Sequence, residues 1–266
     1  MIEYACVCPH PPVIVAEVGG PRAAETTATI EALRTVACRL ADLEIETAVV
    51  ITPHGPSAPE TFRVAPSSRV GGGFDRWGAP QVKLDFRGDP ELAAAILERA
   101  SAVGLEASPQ ASWGESLDWG CTVPLYHLQP GLQDAAVCPV TTTSLAPESH
   151  FLFGTAIAEA VRQTGRRTAV ICSADLSHGL VPGAPAGYTP TGKAFDAAYR
   201  VAVEGWDRDW MLSRSQNERR RAAEDAVPQT SVLMGCLSDR KVLPRVLSYE
   251  APFGVGYLVA EIELGV

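Results

Sequence analysis

Short apolar runs stand at residues 2–7, 47–52, 136–141 and 168–172, rich in β-branched or small side chains and carrying one charge between them, Glu3. Such runs suit strands covered on both faces of a sheet, although at this length periodicity alone does not separate them from buried helix. Three of them stop in the same way. Residues 2–7 run into Cys8-Pro9-His10-Pro11-Pro12, residues 47–52 into Pro53-His54-Gly55-Pro56, and residues 168–172 into Ser173-Ala174-Asp175-Leu176-Ser177-His178-Gly179. Prolines deny a sheet its donors, so His10 must lie where the strand has ended.

Between these runs the apolar period lengthens. Ile30, Leu33, Val36 or Ala37, and Leu40 recur at helical spacing and predict a helix over residues 22–43. Asp89-Pro90-Glu91 reads as an N-cap, a first-turn proline and an acidic first turn, opening a helix to about residue 103. Further helices are expected over 150–163, capped by Glu148 or Ser149 and ended by Gly165, over 193–203, 206–212 and 217–226, and from 229 onward. Weaker strands fall near 62–65 and 82–86, with Gly71-Gly72-Gly73 as a flexible turn between them; 246–249 and 255–264 close the chain as strands. Residues 113–130, dense in Gly, Pro and aromatics, read as a loop and then a short helix. The long Gly/Pro-rich stretch 179–192 reads as a functional loop. No repeat or linker divides the chain, so the expectation is one α/β domain over 1–266, a mixed central sheet with helices on both faces.

Composition narrows the function. With 266 residues and 46% hydrophobic the chain can build a core, and 22 basic against 31 acidic residues give a net charge of −9, which disfavours nucleic acid as a partner. No apolar run approaches the ~20 residues that span a bilayer, so no membrane role and a cytoplasmic placement are expected. Seven cysteines, odd in number and scattered mostly through apolar segments, read as reduced buried thiols. The Gly71–Gly73 run lacks phosphate-loop spacing, and Ser173 and Ser177 lack the nucleophile elbow of a serine hydrolase.

The chemistry gathers on histidine. Of five in the chain, His10, His54 and His178 follow strand ends. Parallel strands present their carboxyl ends along one edge, where open α/β sheets bind ligands, so distant residues can share a site. Imidazoles joined by one carboxylate would hold Fe or Zn and leave positions open, though periodicity does not name the carboxylate. Cys8 is either a soft ligand or a buried thiol. His150, at a helix start, reads as a surface residue.

The ordered set VCPHPP, ITPHG, LDWGCTVPL, SADLSHG, AAED and YEAPFGVGY resembles the class III extradiol ring-cleavage dioxygenases, the LigB-like proteins, near a bacterial branch found with AMMECR1 and MEMO partners. The resemblance implies Fe(II), with Zn as the other candidate ion, held by His10, His54 and an acidic residue. That residue falls at Glu224, with Asp225 as the alternative. It implies His178 as acid/base and a small aromatic substrate cleaved with O2, for which Trp119 and Phe253, as aromatics that either wall a pocket or pack in the core, and Asp175 are the candidate contacts; a homo-oligomer or second subunit is compatible with it. Asp175 would orient His178 or cap its own turn. The chain departs from the pattern at Asp118-Trp119-Gly120, where ring-cleaving relatives often carry a histidine in place of Trp119. Nearby His127 is poorly placed to substitute. Besides ring cleavage, a MEMO-like metal-binding interaction protein and a Zn-dependent hydrolase fit the same residues.

Overall fold

Every position of the four central strands but one is buried, and alternate side chains along them belong to two different cores. In the computed structural model, which describes residues 1–56 and 58–265, the strands are β1 (Ile2–Cys8), β2 (Thr47–Thr52), β3 (Phe62–Val64), β4 (Arg69–Phe74), β5 (Ala79–Arg87), β6 (Ala107–Pro109), β7 (Ala136–Thr141), β8 (Thr168–Ser173), β9 (Val242–Glu250) and β10 (Tyr257–Leu264). Eight of them form one sheet in the order β6-β3-β7-β2-β8-β1-β10-β9. Strands β7, β2, β8 and β1 are mutually parallel, whereas β10 and β9 continue one side antiparallel and β3 runs antiparallel to β7 on the other. The mixed α/β sheet expected from the patterning is therefore the observed one.

The helices are α1 (Ala16–Gly19), α2 (Thr27–Ala41), α3 (Pro90–Ala102), α4 (Ala111–Glu115), α5 (Trp119–Leu132), α6 (Pro147–Thr164), α7 (Gly192–Glu204), α8 (Arg208–Leu212), α9 (Gln216–Ala222) and α10 (Val227–Cys236). Ala5, Val7, Val49, Ile51, Val170 and Cys172 face a core closed by α3, α6 and α10. Tyr4, Cys6, Ala48, Val50, Ala169 and Ile171 face the opposite core, closed by α2, α5 and the β4–β5 hairpin. Period-two alternation through strands buried on both sides is what lets uncharged six-residue runs serve as the centre of the fold. No helix among the described residues is long and apolar enough to cross a membrane.

Two expectations change. Gly71–Gly73 is not a turn but the middle of β4, because Leu117 N donates to the Gly71 carbonyl at 2.7 Å and a Cβ on Gly72 would lie 2.7 Å from Thr122 Cγ2. Bare backbone lets the hairpin press onto the start of α5. Helix α5 is also far longer than expected and runs through Pro124 and Pro130. Proline at 124 brings no N–H, so the Gly120 carbonyl one turn earlier loses its helical donor. The Ser173 hydroxyl at the end of β8 donates to that carbonyl instead.

The start of α3 follows the sequence closely, with Asp89 Oδ1 accepting from Leu92 N at 3.0 Å. By contrast, α6 starts at Pro147 behind Ala146, not behind Glu148 or Ser149. His150 is fully buried rather than superficial, its Nε2 accepting from Thr143 N and its Nδ1 donating to the Ala146 carbonyl. All seven thiols are free and six are buried; Cys38 is the exposed one.

Candidate metal centre

The loops after β1, β2 and β8 meet at the carboxyl edge of the parallel strands, joined there by the turn between α9 and α10. His10, 1% exposed, is fixed at its backbone, where its N–H donates to Asp175 Oδ1 at 3.0 Å, and its ring Nδ1 lies 2.9 Å from Ser173 Oγ. His54 is held through β2: its N–H donates to Thr52 Oγ1 (3.2 Å), which donates to Asp118 Oδ1 (2.7 Å). Asp118 also accepts from Trp113 Nε1 and caps α5 through Cys121 N. This aspartate is thus spent on positioning.

The Nε2 atoms of His10 and His54 are 3.0 Å apart, and Asp225 Oδ2 lies 3.6 and 3.4 Å from them respectively. Two donors bonded at about 2.1 Å to one ion can be no more than about 4.2 Å apart, and all three separations fall inside that limit. His10, His54 and Asp225 are a set of donors able to hold one cation.

Glu224, favoured on the motif, is elsewhere. Its Oε1 accepts from Arg219 Nε at 2.6 Å, and its Oε2 accepts from Ala226 N and Val227 N, so it caps the first turn of α10 with its side chain shut off from solvent. Asp225 turns the other way, and its Oδ1 accepts from Asp175 N at 3.0 Å. Just ahead of both, Ala223 adopts a left-handed backbone (φ 54°, ψ 48°), sparsely populated for a side chain other than glycine. The turned Ala223 carbonyl accepts from both His178 N (2.9 Å) and His178 Nδ1 (3.0 Å). A carbonyl only accepts, so Nδ1 carries the proton and His178 Nε2 presents a lone pair, 4.0 Å from Asp175 Oδ2.

Asp175 therefore positions the His10 backbone and Asp225, while Ala223 rather than Asp175 orients His178. Phe253 lies under the Arg22 guanidinium, 4.4 Å from ring centroid to Cζ. Cys8 turns into the core, its thiol 3.6 Å from that of Cys6, and His127 is packed within α5 against Tyr126. Ser173 falls in the polar run read at the end of β8, whereas Thr52 and the Ala223 carbonyl were not legible as site groups, since no residue-type pattern marks them.

The electrostatics favour a cation. Burial pushes the His10 ring toward its neutral form, but the Asp175 and Asp225 carboxylates outweigh it and raise its pKa to about 9. His54, buried and facing His10, is pushed down to about 4. Burial would raise Asp225, yet His10 first and then His178 and His54 hold it below the usual carboxylate range. Positive charge is thus stabilised where the donors converge, so a metal ion would compete there with a proton.

Trp119 stacks on the His54 ring at 4.1 Å and 25°, and Trp77 from the β4–β5 turn meets Trp119 edge-on at 5.8 Å. With Trp113 and Arg76 they wall a cleft of about 370 Å³ that opens at His54. A larger hollow of about 610 Å³ lies at the amino ends of the parallel strands, around Glu46, Asp89 and Arg166, and includes none of the three donors.

The family described as the catalytic LigB subunit of aromatic ring-opening dioxygenase matches residues 4–260. Protein CA_C1420 of Clostridium acetobutylicum is 28% identical over 262 residues, 96% of this chain but 56% of that protein. MEMO1 family protein MTH_45 of Methanothermobacter thermautotrophicus is 31% identical over 102 residues, 38% of this chain and 34% of that protein. The chain thus spans about half the length of the first of these relatives, and its match to the second covers about a third. Uncharacterised protein JW3007 of Escherichia coli K12 shares the fold, with a TM-score of 0.64 at 13% identity over 97% of this chain and 99% of that one.

Proposed function

The chain belongs to the family of catalytic LigB subunits of aromatic ring-opening dioxygenases, and from this premise we propose that it is a cytoplasmic non-haem Fe(II) enzyme that opens a catechol- or aminophenol-type ring beside its hydroxyl group, using O2. One observation carries this reading: His10, His54 and Asp225 converge within 4.8 Å beside a tryptophan-walled cleft, with the lone pair of His178 close by.

Two neutral imidazoles and one carboxylate are the donor set of non-haem iron sites that keep positions open, and the same set also accepts Zn. Bound Fe(II) would supply Lewis acidity toward the ring oxygens and an electron route to O2. His178, with Nδ1–H committed to the Ala223 carbonyl, takes the phenolic proton at Nε2. Trp119 and Trp77 offer aromatic surface to a flat ring. Asp175 keeps the His10 backbone and Asp225 in register while this happens.

A second reading has its own support. Trp119 stacks on His54 at the position where ring-cleaving relatives often carry histidine, and an indole can donate one N–H but cannot take a proton. A metal-binding protein of the MEMO kind, without ring cleavage, would tolerate that exchange. Anaerobic loading with one equivalent of Fe(II), followed by air and a panel of catechols and aminophenols, separates the two. A coloured ring-opened product supports the dioxygenase, whereas tight metal binding with no product across the panel supports the second reading. Stoichiometric Zn together with ester or amide hydrolysis would replace both.

The tryptophan wall gives a further expected result. Trp119→Ala should weaken binding of a catechol to the Zn(II)-loaded protein by about three- to tenfold, the worth of one aromatic contact, and leave metal content unchanged. Trp119→Phe should keep most of the affinity. Fluorescence titration checks both, and an unchanged affinity in the alanine variant would remove Trp119 from the ring site.

A further inference from the structure

We propose that Ser173 fixes the tautomer of His10, and that Pro124 in α5 is what commits Ser173 to that task; both are positioning residues of the metal centre. The inference rests on His10 being a ligand. It adds two residues that hold no metal and touch no substrate.

Ser173 ends β8 with no exposed surface. Its hydroxyl has one proton to give, and it meets two partners, the Gly120 carbonyl and His10 Nδ1 at 2.9 Å. A carbonyl has no proton to offer, so the hydroxyl proton goes to Gly120. The contact with His10 can then be a hydrogen bond only if Nδ1–H donates to the serine oxygen. Nε2 is then the nitrogen that gives up its proton to an incoming ion and turns its lone pair to it, the atom 3.0 Å from His54 Nε2 and 3.6 Å from Asp225 Oδ2. The opposite tautomer would set two lone pairs face to face in a buried place and put a proton where the ion must bind.

The Gly120 carbonyl is available because of residue 124. In an α-helix the carbonyl of residue 120 accepts from the N–H of residue 124, and proline there has none. Glycine at 120 is required by the same packing, since a Cβ would fall 2.2 Å from Thr52 Oγ1. A Gly-x-x-x-Pro segment at the start of α5 thus turns a helix carbonyl into the group that orients a serine, and through it an imidazole on another strand.

The test measures Zn(II) and Fe(II) affinity by chelator competition, with thermal midpoints of the metal-free proteins and His10→Ala as reference. Ser173→Ala should bind metal about 10–100-fold more weakly, the usual loss when a ligand's outer partner is removed, and Ser173→Thr should restore most of it. Pro124→Ala returns an N–H to compete for the Gly120 carbonyl. It should keep or raise the thermal midpoint while weakening metal binding severalfold, a combination that a purely structural proline would not produce. In the Zn(II)-loaded wild type, His10 Nδ1–H should appear as a slowly exchanging imidazole proton that Ser173→Ala loses to exchange. Affinity within twofold of wild type in Ser173→Ala overturns the proposal, and unchanged affinity in Pro124→Ala removes the proline from it. Should His10→Ala bind as tightly as wild type, the reading of His10 as a ligand fails instead.

Discussion

Asp225→Asn is expected to lower divalent-metal affinity by more than about a hundredfold, beyond the range seen when only an outer partner is lost, while Glu224→Gln leaves it within about threefold. The carboxylates are neighbours in sequence but belong to different systems. Asp225 Oδ2 faces both imidazole Nε2 atoms, whereas Glu224 is consumed by Arg219 and by the first N–H groups of α10. Glu224→Gln should instead cost stability, about 1–3 kcal/mol for a weakened buried cap and ion pair. Metal titration and denaturant unfolding of the two variants give opposite patterns. If Glu224→Gln loses the metal and Asp225→Asn keeps it, the arrangement of the α9–α10 turn described above is wrong.

His178→Gln should lower the ring-opening rate by about 10²–10⁴-fold, the range for loss of a positioned acid or base, with metal content and catechol affinity retained. Its Nδ1 is occupied by the Ala223 carbonyl and it is absent from the three converging donors, so its loss takes none of them away. His10→Ala, in contrast, should lose metal and turnover together. Metal analysis run beside single-turnover kinetics distinguishes the two, and near-normal turnover in His178→Gln would assign proton transfer to another group.

What the sequence made legible follows from what each element needs. Strands β2 and β7 were placed to the residue because both faces are covered and no charge is tolerated. Helix α3 was placed to within a residue because Asp89-Pro90 does the same local work in any context. His10, His54 and His178 were readable as a group because Pro and Gly mark where strands stop. Helix α5 was underestimated since proline carries a penalty in any local rule; here part of the lost bonding is made good by Ser173, which is 53 residues away. The choice between Glu224 and Asp225 lay in their partners, Arg219 and the start of α10 for one and groups on the loops after β1, β2 and β8 for the other, which neighbouring positions in the sequence do not reveal. His150 was misplaced because exposure depends on which elements pack over a residue, and spacing within one segment is silent on that.

The spread of the donors along the chain has a consequence for how the protein is made. Residues 10, 54 and 225 become neighbours only across the finished sheet. During synthesis, a growing chain that has emerged past both histidines still lacks the carboxylate until more than four-fifths of these 266 residues have left the ribosome. Loading with a metal ion would therefore be a late event, following folding rather than guiding it. Scarcity of the ion during translation should leave a folded protein that can still be charged afterwards.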